Sequence, residues 1–204
     1  MQRFILHQNI MRFQRLLTEK TDKVSQRTLR SLLLSARHDL ALLDATEIGM
    51  GSDPSPSGHV QERFSRDLES VSHFEREFGG SPKPYMAVDC GPGLHILVVN
   101  DAYANATMIA PDRVLGKPLF EIFPDDPSDP SANGVSTLYA SLRIAGETRK
   151  PHAMEIQRYD VRAPDGHFVE RYWRPLNTPM FNEEERLIYL LHHVEDVTSA
   201  VLSS

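Results

Sequence analysis

The spacing of apolar residues changes at Gly79, Gly80, Ser81 and Pro82, and that change limits the folds open to the chain. Before it, apolar side chains recur every three or four residues, as on a helix face; after it, they fall in short strand-like runs. A chain that is helical first and strand-rich later must bury a sheet against helices, so the expected class is α+β. At 204 residues, with 40% apolar and 25% charged, it is long enough for one ordinary domain plus an appendage and can bury a core.

Leu6, Ile10, Phe13 and Leu17 mark one helical face, and Leu29, Leu32, Leu33, Ala36, Leu40 and Leu43 a second, with Thr21 and Asp22 as turn and cap between them. Residues 1–48 therefore read as a helical hairpin. Two stripes cannot cover each other completely, so the hairpin must pack on the rest of the chain or on a second copy, and dimerisation is the simpler expectation. Residues 49–59, rich in Gly, Ser and Pro, read as a linker. Val60, Phe64, Leu68, Val71 and Phe78 give a further amphipathic connecting helix over 60–79.

Pro84–Cys90 and Leu94–Asn100 read as two strands joined at Gly91, Pro92 and Gly93. Asn100 can cap a short helix, Pro111 can open another, Gly116 closes it, and PLFEIF adds a turn before the loop Pro124–Pro130. Val135, Leu138, Leu142 and Ala145 restore helical spacing. Three long strands are then expected, His152–Val161, His167–Thr178 and Arg186–Val197, with turns at Ala163–Gly166 and Asn182–Glu185.

Several function classes lose support from composition. A formal charge of -6 leaves no basic excess for a phosphate backbone, so nucleic acid is not an expected partner. Cys90 is the single cysteine, which rules out an internal disulfide and fits a reducing interior; no signal-peptide core or membrane-length apolar run is visible, and a cytoplasmic protein is expected. Neither a nucleophile with its base nor a Gly-x-Ser-x-Gly elbow is present, so no catalytic residues are assigned and an enzyme is not expected. His192 and His193 point to opposite faces of a strand and cannot share one metal ion. The acidic loop Asp125, Asp126 and Asp129 does not match a calcium loop and reads as solvated, as do Glu183–Glu185 and His38.

The order of elements, with Asn100, Tyr103, Gly116, Phe123 and Pro124 at their spacing and Val194–Thr198 (VEDVT) closing the last strand, resembles a PAS domain over residues 80–198. Arg158–Asp160, Glu170–Pro179 and His192–Thr198 are most similar to the PAS sensor domains of bacterial histidine kinases. The resemblance implies a five-stranded antiparallel sheet with short helices on one face, and a pocket between sheet and helices. It also implies an output domain beyond the closing motif, for which only the tail 199–204 remains, so a separate partner is expected.

A PAS pocket can hold haem, flavin or a metabolite. The haem-binding type uses a His on the long helix; Ser136–Glu147 has none, leaving Tyr139 as a possible ligand. The flavin type uses a Cys in the helical segment, and Cys90 lies instead at the end of a strand. Neither cofactor is expected. The resemblance places the row of His192 inward, and the same parity on the preceding strand would bring in Tyr172, Arg174 and Leu176, with Trp173 outside. The candidate ligand-binding residues are therefore Tyr103, Tyr139, Tyr172, Arg174 and His192, and an inward Arg174 suggests a small anionic metabolite. The alternative for Arg174 is an internal pair with Glu155 or Asp160.

The expected protein is a PAS sensor and interaction module in signal transduction. It would be homodimeric through its N-terminal helices and act on a kinase or transcription regulator. The alternatives are a ligandless PAS dimerisation scaffold and an enzyme with an unrecognised site.

Overall fold

The computed structural model describes residues 1–19, 22–48 and 60–203, with the backbone alone for 60–66. The expected linker at 49–59 and the side chains of Val60 and Phe64 lie outside the described residues. Helix α1 (Gln2–Glu19) and helix α2 (Lys23–Glu47) form the hairpin, with Asp22 accepting from Ser25 N–H to cap α2. Arg3 clamps the open end through Asp44 at 2.6 Å and Glu47 at 2.9 Å.

Strands β1 (Tyr85–Val88) and β2 (Ile96–Val99) pair antiparallel, and Gly93, at φ 97°, makes the turn between them, a conformation glycine adopts without a Cβ clash. Four helices follow: α4 (Asp101–Thr107), α5 (Pro111–Val114), α6 (Leu119–Ile122) and α7 (Gly134–Thr148). Strands β7 (Tyr172–Phe181) and β8 (Leu187–Asp196) are the long pair of the sheet, whose order runs β2, β1, β8, β7 and then an edge made of β3 (His152–Ala153) and β4 (Gln157–Arg158). This is the α+β PAS arrangement that the sequence suggests.

The edge differs from the single long strand expected at His152–Val161. Pro175 of β7 accepts from Met154 N–H at 3.0 Å but has no N–H to return, and the ladder breaks there into β3 and β4. Beyond them, β5 (Val161–Arg162) and β6 (Phe168–Val169) form a separate two-stranded hairpin around Pro164–Gly166.

Both faces of the sheet are covered. The main core fills the space between one face and helices α4–α7 with Met86, Val88, Ile96, Leu119, Leu142, Trp173 and Leu190. Helix α3 (Val60–Phe74), continued by a π-helical turn at Glu75–Gly79, crosses the other face and buries Phe74 against Ala87, Val98, Tyr189 and Leu191. The hairpin packs on the domain itself: Ala41 and Ala45 of α2 join the main core beside α7, and the Ala45 carbonyl accepts from Gly93 N–H at 2.7 Å. His38 of α2 reaches Asp125 at 2.8 Å, and the other oxygen of Asp125 caps α7 by accepting from Val135 N–H at 3.0 Å. His38 and Asp125 are thus part-buried partners, not the solvated side chains expected. The ion pair with Asp125 raises the His38 pKa, chiefly through the hydrogen bond. The last helix, α8 (Thr198–Leu202), begins at the VEDVT motif, where Asp196 accepts from Thr198 N–H and Thr198 Oγ1 accepts from Tyr172 N–H.

Candidate functional site

A cavity of about 40 Å³ lies between the inner face of β7 and β8 and the helices α4 and α7. Its walls are mostly apolar, including Phe123, Leu138, Met154, Trp173 and Val194, and Tyr103 and His192 meet it edge to face with ring centroids 6.0 Å apart. A second, polar cavity of about 110 Å³ adjoins it and is lined by Asp125, Asp126, Asp129 and Arg158. Tyr159, Gly134 and Asp160 border both.

Asn177 places His192. It is fully buried on β7, directly opposite His192 in the ladder, and its Oδ1 meets His192 Nδ1 at 2.7 Å. The Asn177 amide donates to Ser141 Oγ at 2.7 Å and toward Met154 Sδ at 3.6 Å, and Ser141 Oγ meets His152 Nδ1 at 2.7 Å. With its NH2 toward Ser141 Oγ and Met154 Sδ and its Oδ1 toward the imidazole, the Asn177 amide assigns His192 Nδ1 as the donor. Burial, with a lesser push from His193, lowers the His192 pKa to about 3, so the ring is neutral at ordinary pH. A buried polar chain thus runs from half-exposed His152 at the sheet edge to the cavity.

Of the five residues expected at the site, the structure brings Tyr103 and His192 to the cavity and the other three elsewhere. Arg174 and Tyr172 lie on the opposite face of β7, while Trp173 and Pro175 line the cavity. The reason is a bulge. Phe181 pairs with Leu187 at the turn end of the hairpin, a register that, if continued, would set Leu176 opposite His192 and Arg174 opposite Val194. The register shifts by one between Met180 and Phe181, so Asn177 and Pro175 take those places instead. One extra residue turns over the parity of the whole strand. Arg174 is exposed and pairs with Glu195 across the strands at 2.7 Å, not with Glu155 or Asp160. Tyr139 is absent from the cavity walls; it faces α2, and burial and then Asp44 push its phenol up to about 12.

With Arg174 outside, Arg174→Ala is expected to change the unfolding free energy by less than about 1 kcal/mol, the range of exposed ion pairs, and to leave ligand binding untouched. Urea titration of both proteins measures the first, and a loss well above that figure would show the pair to be buried in solution.

The residues missed were Asn177, Ser141, Trp173 and Tyr159. Ser141 carried a usable signal, because it falls on the inward stripe of α7 beside Leu138, Leu142 and Ala145. The others depend on the bulge and on the broken edge strand. Among the described residues, no group of three His, Cys, Asp or Glu side chains could hold a metal ion.

A sequence profile of the PAS fold matches residues 80–202, more than half of the chain, and the chain belongs to that family. No curated protein matches it. Among solved structures, it is similar to the PAS domain of a protein from Colwellia psychrerythraea at 14% identity, covering 65% of this chain and 98% of that one, with a TM-score of 0.45. The PAS domain of the fruit-fly ELK potassium channel matches at 12% identity over 64% and 97%, TM-score 0.45. The Rhodobacter sphaeroides LOV protein matches at 13% identity over 70% and 74%, TM-score 0.46.

Proposed function

We propose that the chain is a non-enzymatic sensory module that binds a small ligand in the cavity beneath β7 and β8 and reports occupancy through α7 to its N-terminal hairpin. The carrying observation is that α7 belongs to both places. Gly134, Thr137 and Leu138 line the cavity, while Tyr139 faces α2, whose Ala41 and Ala45 share the core. A ligand that displaces α7 must then disturb the contact with the hairpin, which is the differential interaction a switch requires.

The same reading expects neither haem nor flavin in the cavity. The cavity is about 40 Å³, Tyr139 is turned away from it, and Cys90 is not among its lining residues. Typical ligand pockets measure roughly 300–1,000 Å³, so either group would need extensive repacking. The expected protein is colourless, dimeric, and partnered by a kinase or transcription regulator in the cytoplasm. Among the described residues, no helix is long and apolar enough to cross a membrane. Phe4, Ile5 and Met11 leave an exposed apolar row on α1 that supports pairing with a second copy.

The test is to denature the purified protein and identify what it releases by mass spectrometry, alongside light scattering of the folded protein. A stoichiometric small molecule, unchanged on incubation, is expected. Scattering is expected to give twice the chain mass of 23.1 kDa. Release of nothing, together with no stabilisation by any compound of a metabolite library, would favour the ligandless scaffold.

A further inference from the structure

The cavity's polar groups can be accounted for one by one. Trp173 Nε1–H donates to the Tyr159 carbonyl at 2.8 Å, and the Tyr159 hydroxyl donates to the Phe123 carbonyl. Thr107 Oγ1 donates to the Tyr103 carbonyl at 2.8 Å, and Thr137 Oγ1 is held by the carbonyls of Asn133 and Gly134. Asp160 takes both prongs of Arg158, at 3.0 and 2.8 Å. Two groups remain. His192 Nε2 and the Tyr103 hydroxyl have no hydrogen-bond partner among the described residues, although the residues are 4% and 3% exposed. Neither is sealed away from the void, for among the described residues the one enclosed side-chain nitrogen or oxygen without a hydrogen-bond partner is Arg171 Nε.

The two have complementary chemistry. Because Nδ1 donates to Asn177, Nε2 presents a lone pair, and the Tyr103 O–H presents a proton. Leaving both unpaired is costly, and a molecule that satisfies them gains that cost back as affinity. Among the described residues no Lys or Arg lines this cavity, and the carboxylate beside it, Asp160, is already neutralised by Arg158, so nothing there attracts an anion. Arg158, on the adjoining cavity, is already engaged by Asp160 and lies within 4 Å of Asp129 and Glu170.

We propose that the cavity selects a small neutral molecule with an apolar body, one N–H or O–H donor for His192 Nε2 and one acceptor for the Tyr103 hydroxyl, and that it rejects carboxylates and phosphates. The proposal rests on the sensor reading above and replaces the anionic metabolite that an inward Arg174 suggested. A volume of about 40 Å³ holds roughly three waters and no ring. The way to more room is Tyr159, the wall shared with the 110 Å³ cavity. Its ring lies where a Cβ on residue 134 would come within 2.6 Å, so glycine there is what gives the ring its place. Swinging it toward the second cavity joins the two spaces.

Trp173 is the single tryptophan and sits in the cavity wall, so its indole N–H signal in a 15N-labelled sample reports binding without assignment. The probes are phenol, its isostere toluene, and benzoate at pH 7. Phenol is expected to shift the signal saturably and to bind tighter than toluene, although toluene is the more apolar. Benzoate is expected to produce no saturable shift. Tyr103→Phe should weaken phenol roughly 3- to 10-fold, the worth of one neutral hydrogen bond, while its melting temperature stays equal or rises because an unpaired buried hydroxyl is gone. Benzoate binding as tightly as phenol, toluene binding tighter than phenol, or Tyr103→Phe binding phenol undiminished would each overturn the proposal. So would the absence of any shift, which leaves a cavity holding water only. In that case a stoichiometric anion found by mass spectrometry would keep the sensor reading and discard the ligand class.

Discussion

Asn100→Ala is expected to lower the unfolding free energy by about 3–5 kcal/mol, as much as truncating a large core side chain. The side chain is 3% exposed and fills every hydrogen-bonding position it has. Its Oδ1 accepts from Tyr85 N–H at 3.0 Å and from Tyr103 N–H at 2.9 Å, joining the start of β1 to the first turn of α4. Its amide donates to the carbonyls of Lys83, Phe78 and Ser81 at 2.8, 3.1 and 3.3 Å, which fixes the passage from α3 into the sheet. Alanine would remove all of these bonds at once; the Phe78 carbonyl would keep Ser81 N–H at 3.0 Å, while the N–H of buried Tyr103 would lose its cap. An N-cap alone is worth about 1 kcal/mol, and aspartate is as good a cap as asparagine. Asn100→Asp therefore separates the two roles. It keeps the acceptor for Tyr85 and Tyr103 but sets an oxygen against three carbonyls, and should be nearly as destabilising as alanine. Urea unfolding of the three proteins measures this, and an Asp variant as stable as wild type would reduce Asn100 to a helix cap.

Much of this arrangement could be read in the sequence because local chemistry determines it. The change of period at Gly79–Pro82 separates helices from sheet, Asn100 announces a cap, and VEDVT ends the last strand; each depends on residues within a few positions. What could not be read depends on long-range geometry. The bulge between Met180 and Phe181 has no glycine or proline at its centre to announce it, yet it decides whether Arg174 or Trp173 meets the ligand. The break between β3 and β4 is forced by Pro175, which belongs to a different strand. His38 and Asp125 are 87 residues apart, and nothing local to either indicates the other. Tyr139 shares α7 with Leu138, but one step around a helix is about 100°, enough to turn it from the cavity to α2. The cavity itself was expected; its polarity was inverted because one strand was read in the wrong register.

The pH dependence of stability follows from the same buried histidine. His192 has a pKa of about 3 in the folded protein, against 6.5 for a free histidine, because it lies out of water with His193 adjacent. Above pH 6.5 the ring is neutral in both folded and unfolded chains, and its placement costs nothing that depends on pH. As the pH falls below 6.5, the unfolded chain takes up a proton that the folded one cannot, so stability declines by about 1.4 kcal/mol per pH unit until the folded pKa is reached. At pH 4.5 the loss from this one group is about 2–3 kcal/mol. His38 works in the opposite sense: its pKa is raised by Asp125, so its contribution is full below pH 6.5 and fades as the pH rises through the folded value. The two partly compensate in wild type, and the informative quantity is the difference from His192→Phe. That variant leaves Asn177 Oδ1 without its donor and begins less stable at pH 7.5, but the deficit should shrink as the pH falls, by about 2–3 kcal/mol at pH 4.5, because phenylalanine binds no proton in either state. Urea unfolding at pH 7.5, 6.5, 5.5 and 4.5 yields both curves. Parallel curves over that range would mean that His192 takes up its proton near pH 6.5 in the folded protein as in the unfolded one, and so is not held out of water as the structure has it.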